Sequence, residues 1–192
     1  MRTLLTGFEP FGNRKINNSW DVARHFEGME NIDVVRVPVS FGRAPKVVID
    51  ALKCKKYDLI LMLGETGVTK DKIRLERVAL NFMDSSIADN DGIVADEEEL
   101  ISGAVSAYFT SFPIKLVAGK LVKKGYKVKV TNSAGTFVCN SLYYHILRHL
   151  EENGGHTAAL FIHLPAETTI LSIEEMKDTI SSILSCFNKN RE

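Results

Sequence analysis

Cysteine is scarce in this chain: three residues, Cys54, Cys139 and Cys186, are spread over 192 positions. They are too few and too scattered for a disulfide framework, which points to a reducing cytoplasm. Long apolar runs are missing as well. No stretch reaches the roughly 18 residues that a spanning helix needs, so no membrane segment is expected. Met-Arg-Thr-Leu-Leu-Thr-Gly at the start is too short in apolar character for a signal peptide and reads as a first strand. Charge of one sign is not in excess either, because 24 basic residues meet 24 acidic ones. Without a net field, nothing recruits nucleic acid or a membrane surface. There is no internal repeat, low-complexity tract or linker to divide the chain. What is present is ordinary globular material, 45% apolar and 25% charged, enough for one packed domain.

Strands and helices alternate along it. Residues 3–6 read as a buried strand running into Gly7-Phe8-Glu9-Pro10-Phe11-Gly12, a stiff turn that holds out two aromatic rings. Residues 17–27 have helical spacing, with Asn18 or Ser19 placed as the cap. Residues 32–39 form a second strand, and 43–55 a helix that packs through Val47, Val48, Ala51 and Leu52. The continuous apolar run 59–63 belongs to a sheet covered on both faces. Residues 64–72 read as a polar loop, and 73–83 as an apolar stretch broken by Glu76, Arg77 and Asn81. Asp89-Asn90-Asp91-Gly92 is a turn signal. Pro113 opens a helix to Lys124, capped by Ser111 and ended by Gly125. Strands at 126–130 and 158–162 and a last helix at 172–187 complete a single-domain three-layer α/β/α sandwich over 1–192, with a twisted, mostly parallel central sheet.

The chemistry concentrates in Asn-Ser-Ala-Gly-Thr-Phe-Val-Cys-Asn-Ser-Leu at 132–142. Ser133, Ala134, Gly135 and Thr136 are small enough for a tight turn, and Leu142, Tyr143, Ile146, Leu147 and Leu150 recur at helical spacing. Cys139 therefore sits in a first helical turn, where unpaired N–H groups favour thiolate and can hold an oxyanion. Ligands of such sheets bind outside the carboxyl ends of the strands. Residues 6–11, Gly64, 133–139 and His163 all follow strand ends, so with parallel strands they meet at one rim. Cys139 as nucleophile would there face His163 as base and acid, with a carboxylate orienting the imidazole. Glu9, Glu65, Glu76, Asp84 and Asp89 all lie in suitable places, and spacing does not choose among them. Each residue also has a structural reading. A lone cysteine among apolar neighbours is most often core, His163 before Leu-Pro can close a strand, and Phe8 and Phe11 can fill a core. His145 and His149 stand one turn apart without the glutamate of the metalloprotease motif and read as surface histidines. Asp96 to Glu99 is a solvated acidic run.

Several motifs in one order resemble the pyroglutamyl peptidase I family of cysteine peptidases. They are Thr-Gly-Phe-Glu-Pro-Phe-Gly at 6–12, Glu-Arg-Val-Ala-Leu-Asn at 76–81, Ile-Ala-Asp-Asn at 87–90, Phe-Pro-Ile-Lys at 112–115, Asn-Ser-Ala-Gly-Thr-Phe-Val-Cys-Asn at 132–140 and Phe-Ile-His-Leu-Pro at 161–165. The resemblance implies hydrolysis of N-terminal pyroglutamate from peptides, with Cys139 as nucleophile, His163 as base and Glu76 as orienting acid. Substrate would meet Phe8, Phe11, Asn17, Glu65, Ile87, Phe137 and Val138. The resemblance also implies a cytoplasmic homotetramer, or a dimer, with no metal or organic cofactor.

The sequence departs from the family pattern at three places. Glu65 stands where some members carry a neutral glutamine, and a carboxylate beside a neutral lactam is costly unless paired or solvated. Ser86 replaces an arginine, which removes a cation expected near the centre. The tyrosine-rich stretch that follows the histidine motif becomes Pro165-Ala166-Glu167-Thr168-Thr169. These departures leave an alternative: a relative that binds pyroglutamyl-like ligands with weak turnover or none. A nucleoside-phosphorylase-like activity would need a phosphate cradle or arginine cluster that the sequence lacks. Cys186, near the end of the last helix, is a position from which a thiol could bridge to a neighbouring subunit.

Overall fold

Leu59, Leu61 and Leu63 point to one side of β3 (Leu59–Thr66), and Ile60 and Met62 to the other. The same alternation divides β8 (Ala158–Pro165): Leu160, Ile162 and Leu164 face one way, Ala159 and Phe161 the other. Strands apolar on both sides need a layer on each. The computed structural model, which describes residues 1–154 and 156–189, supplies both layers. Helices α1 (Asn18–Ala23), α3 (Ile114–Lys123) and α5 (Ile173–Asn188) cover one face, and α2 (Arg43–Cys54) and α4 (Val138–Glu152) cover the other. The last residues of the expected domain, 190–192, lie outside the described residues.

The central sheet has six strands in the order β2-β1-β3-β8-β4-β7, with β1 Thr3–Phe8, β2 Ile32–Val37, β4 Ile73–Glu76 and β7 Val128–Thr131. Strands β1, β2, β3 and β8 are parallel. Strand β4 runs antiparallel to β8, and β7 runs parallel to β4. The short connection 67–72 explains the reversal, because returning the chain to start a parallel strand takes a dozen or more residues. The mostly parallel sheet is thus as expected, but one common rim of strand ends is not. Segment 132–137 leaves β7 beside Glu76, at the level of Phe161 on β8.

Other boundaries shift for local reasons. Strand β3 continues through Thr66, where a loop from Gly64 is expected, because Gly64, Glu65 and Thr66 pair with His163, Leu164 and Pro165. The cap of α1 is Asn17, whose side chain accepts from Ser19 N, instead of Asn18 or Ser19, and the helix passes into a 3-10 turn at Arg24–Phe26. At the start of α3, Pro113 occupies the cap position and no side chain caps it, so Ser111 does not. The stretch 73–83 divides in two. Its second half gives β5 (Val78–Leu80), which pairs with β6 (Ala107–Phe109) as a separate antiparallel sheet. Cys186 is buried in the core beneath α5 and is not presented at the surface.

Candidate active site

The site lies on the face of the sheet that α2 and α4 cover. Antiparallel register sets Arg74 opposite His163 and Glu76 opposite Phe161, which puts all four side chains on one face. Glu76 reaches His163 diagonally, and its Oε1 stands 2.9 Å from His163 Nδ1. Among the candidate acids it is Glu76 that meets the imidazole. Glu76 has no exposed surface, so its charge must be matched within the protein. Its Oε2 accepts from Thr131 Oγ1 at 2.6 Å, and Arg74 Nε lies 3.1 Å from Oε1. An ionised carboxylate offers only lone pairs, so in the neutral imidazole the proton it shares belongs to Nδ1 and Nε2 is the free acceptor.

Cys139 arrives from the opposite layer. Phe137 stands at the cap of α4 with no side-chain bond closing it, which leaves the first N–H groups of the helix available. Asn140 braces the turn: its Oδ1 accepts from Leu80 N at 2.9 Å, and its Nδ2 donates to Leu80 O and Phe82 O, each at 2.9 Å. Gly64 makes room for the sulfur. A Cβ placed there would stand 3.0 Å from Cys139 Sγ and 2.7 Å from the Phe161 ring. Gly64 is also the register partner of His163, so the sulfur sits above a glycine one strand away from the imidazole. Cys139, His163, Arg74, Glu65, Thr136 and Phe137 line one cleft of about 340 Å³.

Burial pushes the Cys139 thiol up to about 12, and the nearby Glu76 carboxylate pushes it the same way, while its own backbone N–H opposes both. The start of a helix would favour thiolate, yet desolvation wins, so the resting sulfur carries its proton. Tyr143 donates to Glu76 O at 3.0 Å, and burial raises its phenol above the usual range, which keeps it a donor.

The remaining expected residues fall in different places. Phe11 is partly buried, with its ring 5.9 Å from that of Phe137, which meets Phe41 edge-on. Ile87 is half exposed and lines a second cavity of about 680 Å³ that shares Thr136 and Phe137 with the cleft. Phe8 is core, 2% exposed and packed toward Phe161. Val138 is core as well, at 1%. Asn17 is committed to capping α1 and donates to Glu9 O. Glu65 has its charge matched: it pairs with Arg14 and accepts from Asn18 N at 2.8 Å. Ser86 lies in the second cavity, outside the cleft that holds Cys139 and His163. The cation in the cleft is Arg74, which the sequence analysis passed over. The alternation Ile73-Arg74-Leu75-Glu76 was the available signal, since it puts 74 and 76 on one face. Among the described residues, no group of three or more His, Cys, Asp or Glu is arranged to hold a metal.

A family model described as pyroglutamyl peptidase matches residues 1–184. Over 168 residues the chain is 36% identical to a pyrrolidone-carboxylate peptidase of Thermococcus onnurineus, covering 86% of this chain and 84% of that one. It is 34% identical over 168 residues to one of Bacillus licheniformis, covering 85% and 78%. Among solved structures it superposes on a pyrrolidone carboxyl peptidase of Fervidobacterium islandicum with a TM-score of 0.89 and 33% identity, covering 98% and 99%. A pyroglutamyl peptidase I of Bacillus amyloliquefaciens gives 0.89 and 31%, covering 97% and 94%.

Proposed function

The chain belongs to the pyroglutamyl peptidase family, and from that premise we propose that it is a cysteine peptidase that removes the N-terminal pyroglutamyl group from peptides. In this proposal one domain over 1–192 carries the activity, and Cys139, His163 and Glu76 form the triad. The observation that carries the assignment is the 2.9 Å contact of a buried Glu76 with His163 in the cleft that Cys139 also lines.

The resting pair is a thiol and an imidazole with Nε2 bare, so attack begins with proton transfer from Sγ to Nε2. Glu76 stabilises the imidazolium that forms. The thiolate adds to the pyroglutamyl carbonyl, and N–H groups at the start of α4 hold the oxyanion. His163 then returns the proton to the departing amine. Water, deprotonated by His163, cleaves the thioester and releases pyroglutamate. The lactam is flat and neutral, and a wall such as Phe137, with Phe11 behind it and Ile87 in the adjoining cavity, suits it.

The test is a peptide whose N-terminal pyroglutamyl group releases a reporter. Cleavage, its arrest by iodoacetamide and its loss in Cys139→Ser are expected. No cleavage by wild-type protein, together with tight binding of a pyroglutamyl aldehyde, would favour the non-hydrolytic relative, a reading that the raised Cys139 thiol supports.

The same proposal includes a homotetramer in the cytoplasm. Phe109 and Leu116, 69% and 50% exposed, line one open cavity of about 410 Å³, as surface awaiting a second copy would. The thiol nucleophile calls for a reducing compartment. No described helix is long and apolar enough to cross a membrane.

A further inference from the structure

Arg74 is the one guanidinium in the wall of the cleft among the described residues, and its contacts all lead to the triad. Nε lies 3.1 Å from Glu76 Oε1 and 3.3 Å from Thr131 Oγ1, and that hydroxyl donates to the other Glu76 oxygen. Nη2 donates to Ser133 O at 3.0 Å, at the root of the segment leading to Cys139. Its side chain is 16% exposed, so the ion pair escapes most solvent screening. We propose that Arg74 is a positioning residue of the catalytic group: it holds Glu76 charged and oriented, so that Glu76 keeps the His163 proton on Nδ1 and Nε2 free to take the proton of Cys139. This inference rests on the proposed peptidase activity and adds a fourth member to its machinery.

The titratable and charged groups facing Glu76 come from three elements. Arg74 shares β4, His163 comes from β8, and Cys139 and Tyr143 come from α4. Only Arg74 among these is a permanent cation. Removing it makes the carboxylate harder to keep charged and the imidazolium easier to form. Both changes populate the inactive protonated forms at higher pH, so the acidic limb of the pH–rate profile moves upward.

The experiment measures kcat/KM against pH for wild type, Arg74→Met, Arg74→Lys, Glu76→Gln and the pair Arg74→Met/Glu76→Gln, with the iodoacetamide alkylation rate of Cys139 read on the same samples. Arg74→Met keeps the length and loses the charge. It is expected to lower kcat about 10- to 100-fold with little change in KM, and to move the acidic limb up by about one pH unit or more. Arg74→Lys, which keeps the charge, is expected to leave the limb close to its wild-type position. In the Glu76→Gln background, Arg74→Met is expected to move the limb much less, because only its direct effect on the imidazolium remains. An Arg74→Met profile that superimposes on wild type overturns the inference, as does an equal shift with and without Glu76. If Arg74→Met fails to fold, Arg74→Lys against wild type decides, because lysine keeps the charge without the fork and is expected to lower kcat while leaving the limb in place. If wild type cleaves no reporter, the peptidase assignment fails on its own. The alkylation profiles, expected to shift in the same direction as the rate limb, then still decide the role of Arg74.

Discussion

Gly64 carries no side chain because two other atoms already stand where its Cβ would go. The Phe161 ring is 2.7 Å from that point and Cys139 Sγ is 3.0 Å. The ring cannot simply swing aside, since Phe8 and Tyr143 pack against it with centroids 6.4 and 5.7 Å away. A methyl at 64 therefore displaces either a core ring or the sulfur. Gly64→Ala is expected to cost about 1–3 kcal/mol from overpacking, a fall of roughly 2–4 °C per kcal/mol in a chain of this size. A sulfur moved by about 1 Å costs on the order of 100-fold in rate. Calorimetry with the reporter assay reads both effects, and a variant with the melting temperature and kcat of wild type would show that the sulfur does not depend on this gap. At the same scale the sequence made Cys139 and His163 stand out, because each belongs to a motif at an expected strand end, although β8 in fact runs past His163 to Pro165. Spacing left five acids equal and only the family motif singled out Glu76, since which one meets His163 depends on a register two residues apart across an antiparallel pair.

The first turn of α4 has to be held against a different sheet from the one that carries His163, and Asn140 does this. Fully buried, it closes three hydrogen bonds onto Leu80 and Phe82, so β5 and α4 move together. Asn140→Ala leaves partly buried backbone groups of Leu80 and Phe82 without this partner and is expected to cost about 1–2 kcal/mol, with kcat falling more than KM because the neighbouring Cys139 loses its support. Denaturant unfolding and steady-state kinetics measure the two, and an unchanged kcat in a folded variant would count against a link between this brace and the proposed nucleophile. Element type was legible where period and length agreed. Helix α4 showed its apolar spacing, the last helix starts at Ser172 with a full capping box, and Gly125 ends α3 with φ +88°. Strand direction was less legible, because alternation is the same in parallel and antiparallel pairs. The short loop 67–72 held that information, and an assumed parallel rim overrode it. The division of 73–83 between two sheets was illegible for another reason. It turns at Arg77, whose N donates to Thr131 O and whose O accepts from Thr110 N, partners far along the chain.

At the scale of the whole molecule, balanced charge leaves copies with little mutual repulsion near neutral pH, where the sequence pI is about 7.0. Association then depends on what surface is apolar. Phe109 sits at the end of β6, a strand of the small two-stranded sheet, and shares a cavity with Leu116 on α3, Pro113 and Arg77. A ring 69% exposed beside a half-exposed leucine adds little to the stability of a single chain, and an apolar contact between copies would cover it. Sedimentation of the 21.4 kDa chain is expected to give a multiple of that mass, four for the proposed tetramer. Phe109→Lys is expected to shift the mass toward smaller species while the far-UV spectrum stays that of wild type, because a charge at an exposed position disturbs no core. Catalysis should largely survive the change, since Phe109 is absent from the walls of both the cleft and the adjoining cavity. If Phe109→Lys sediments as wild type does, copies meet through another face; if wild type itself sediments as a single chain, assembly is no part of how this peptidase works.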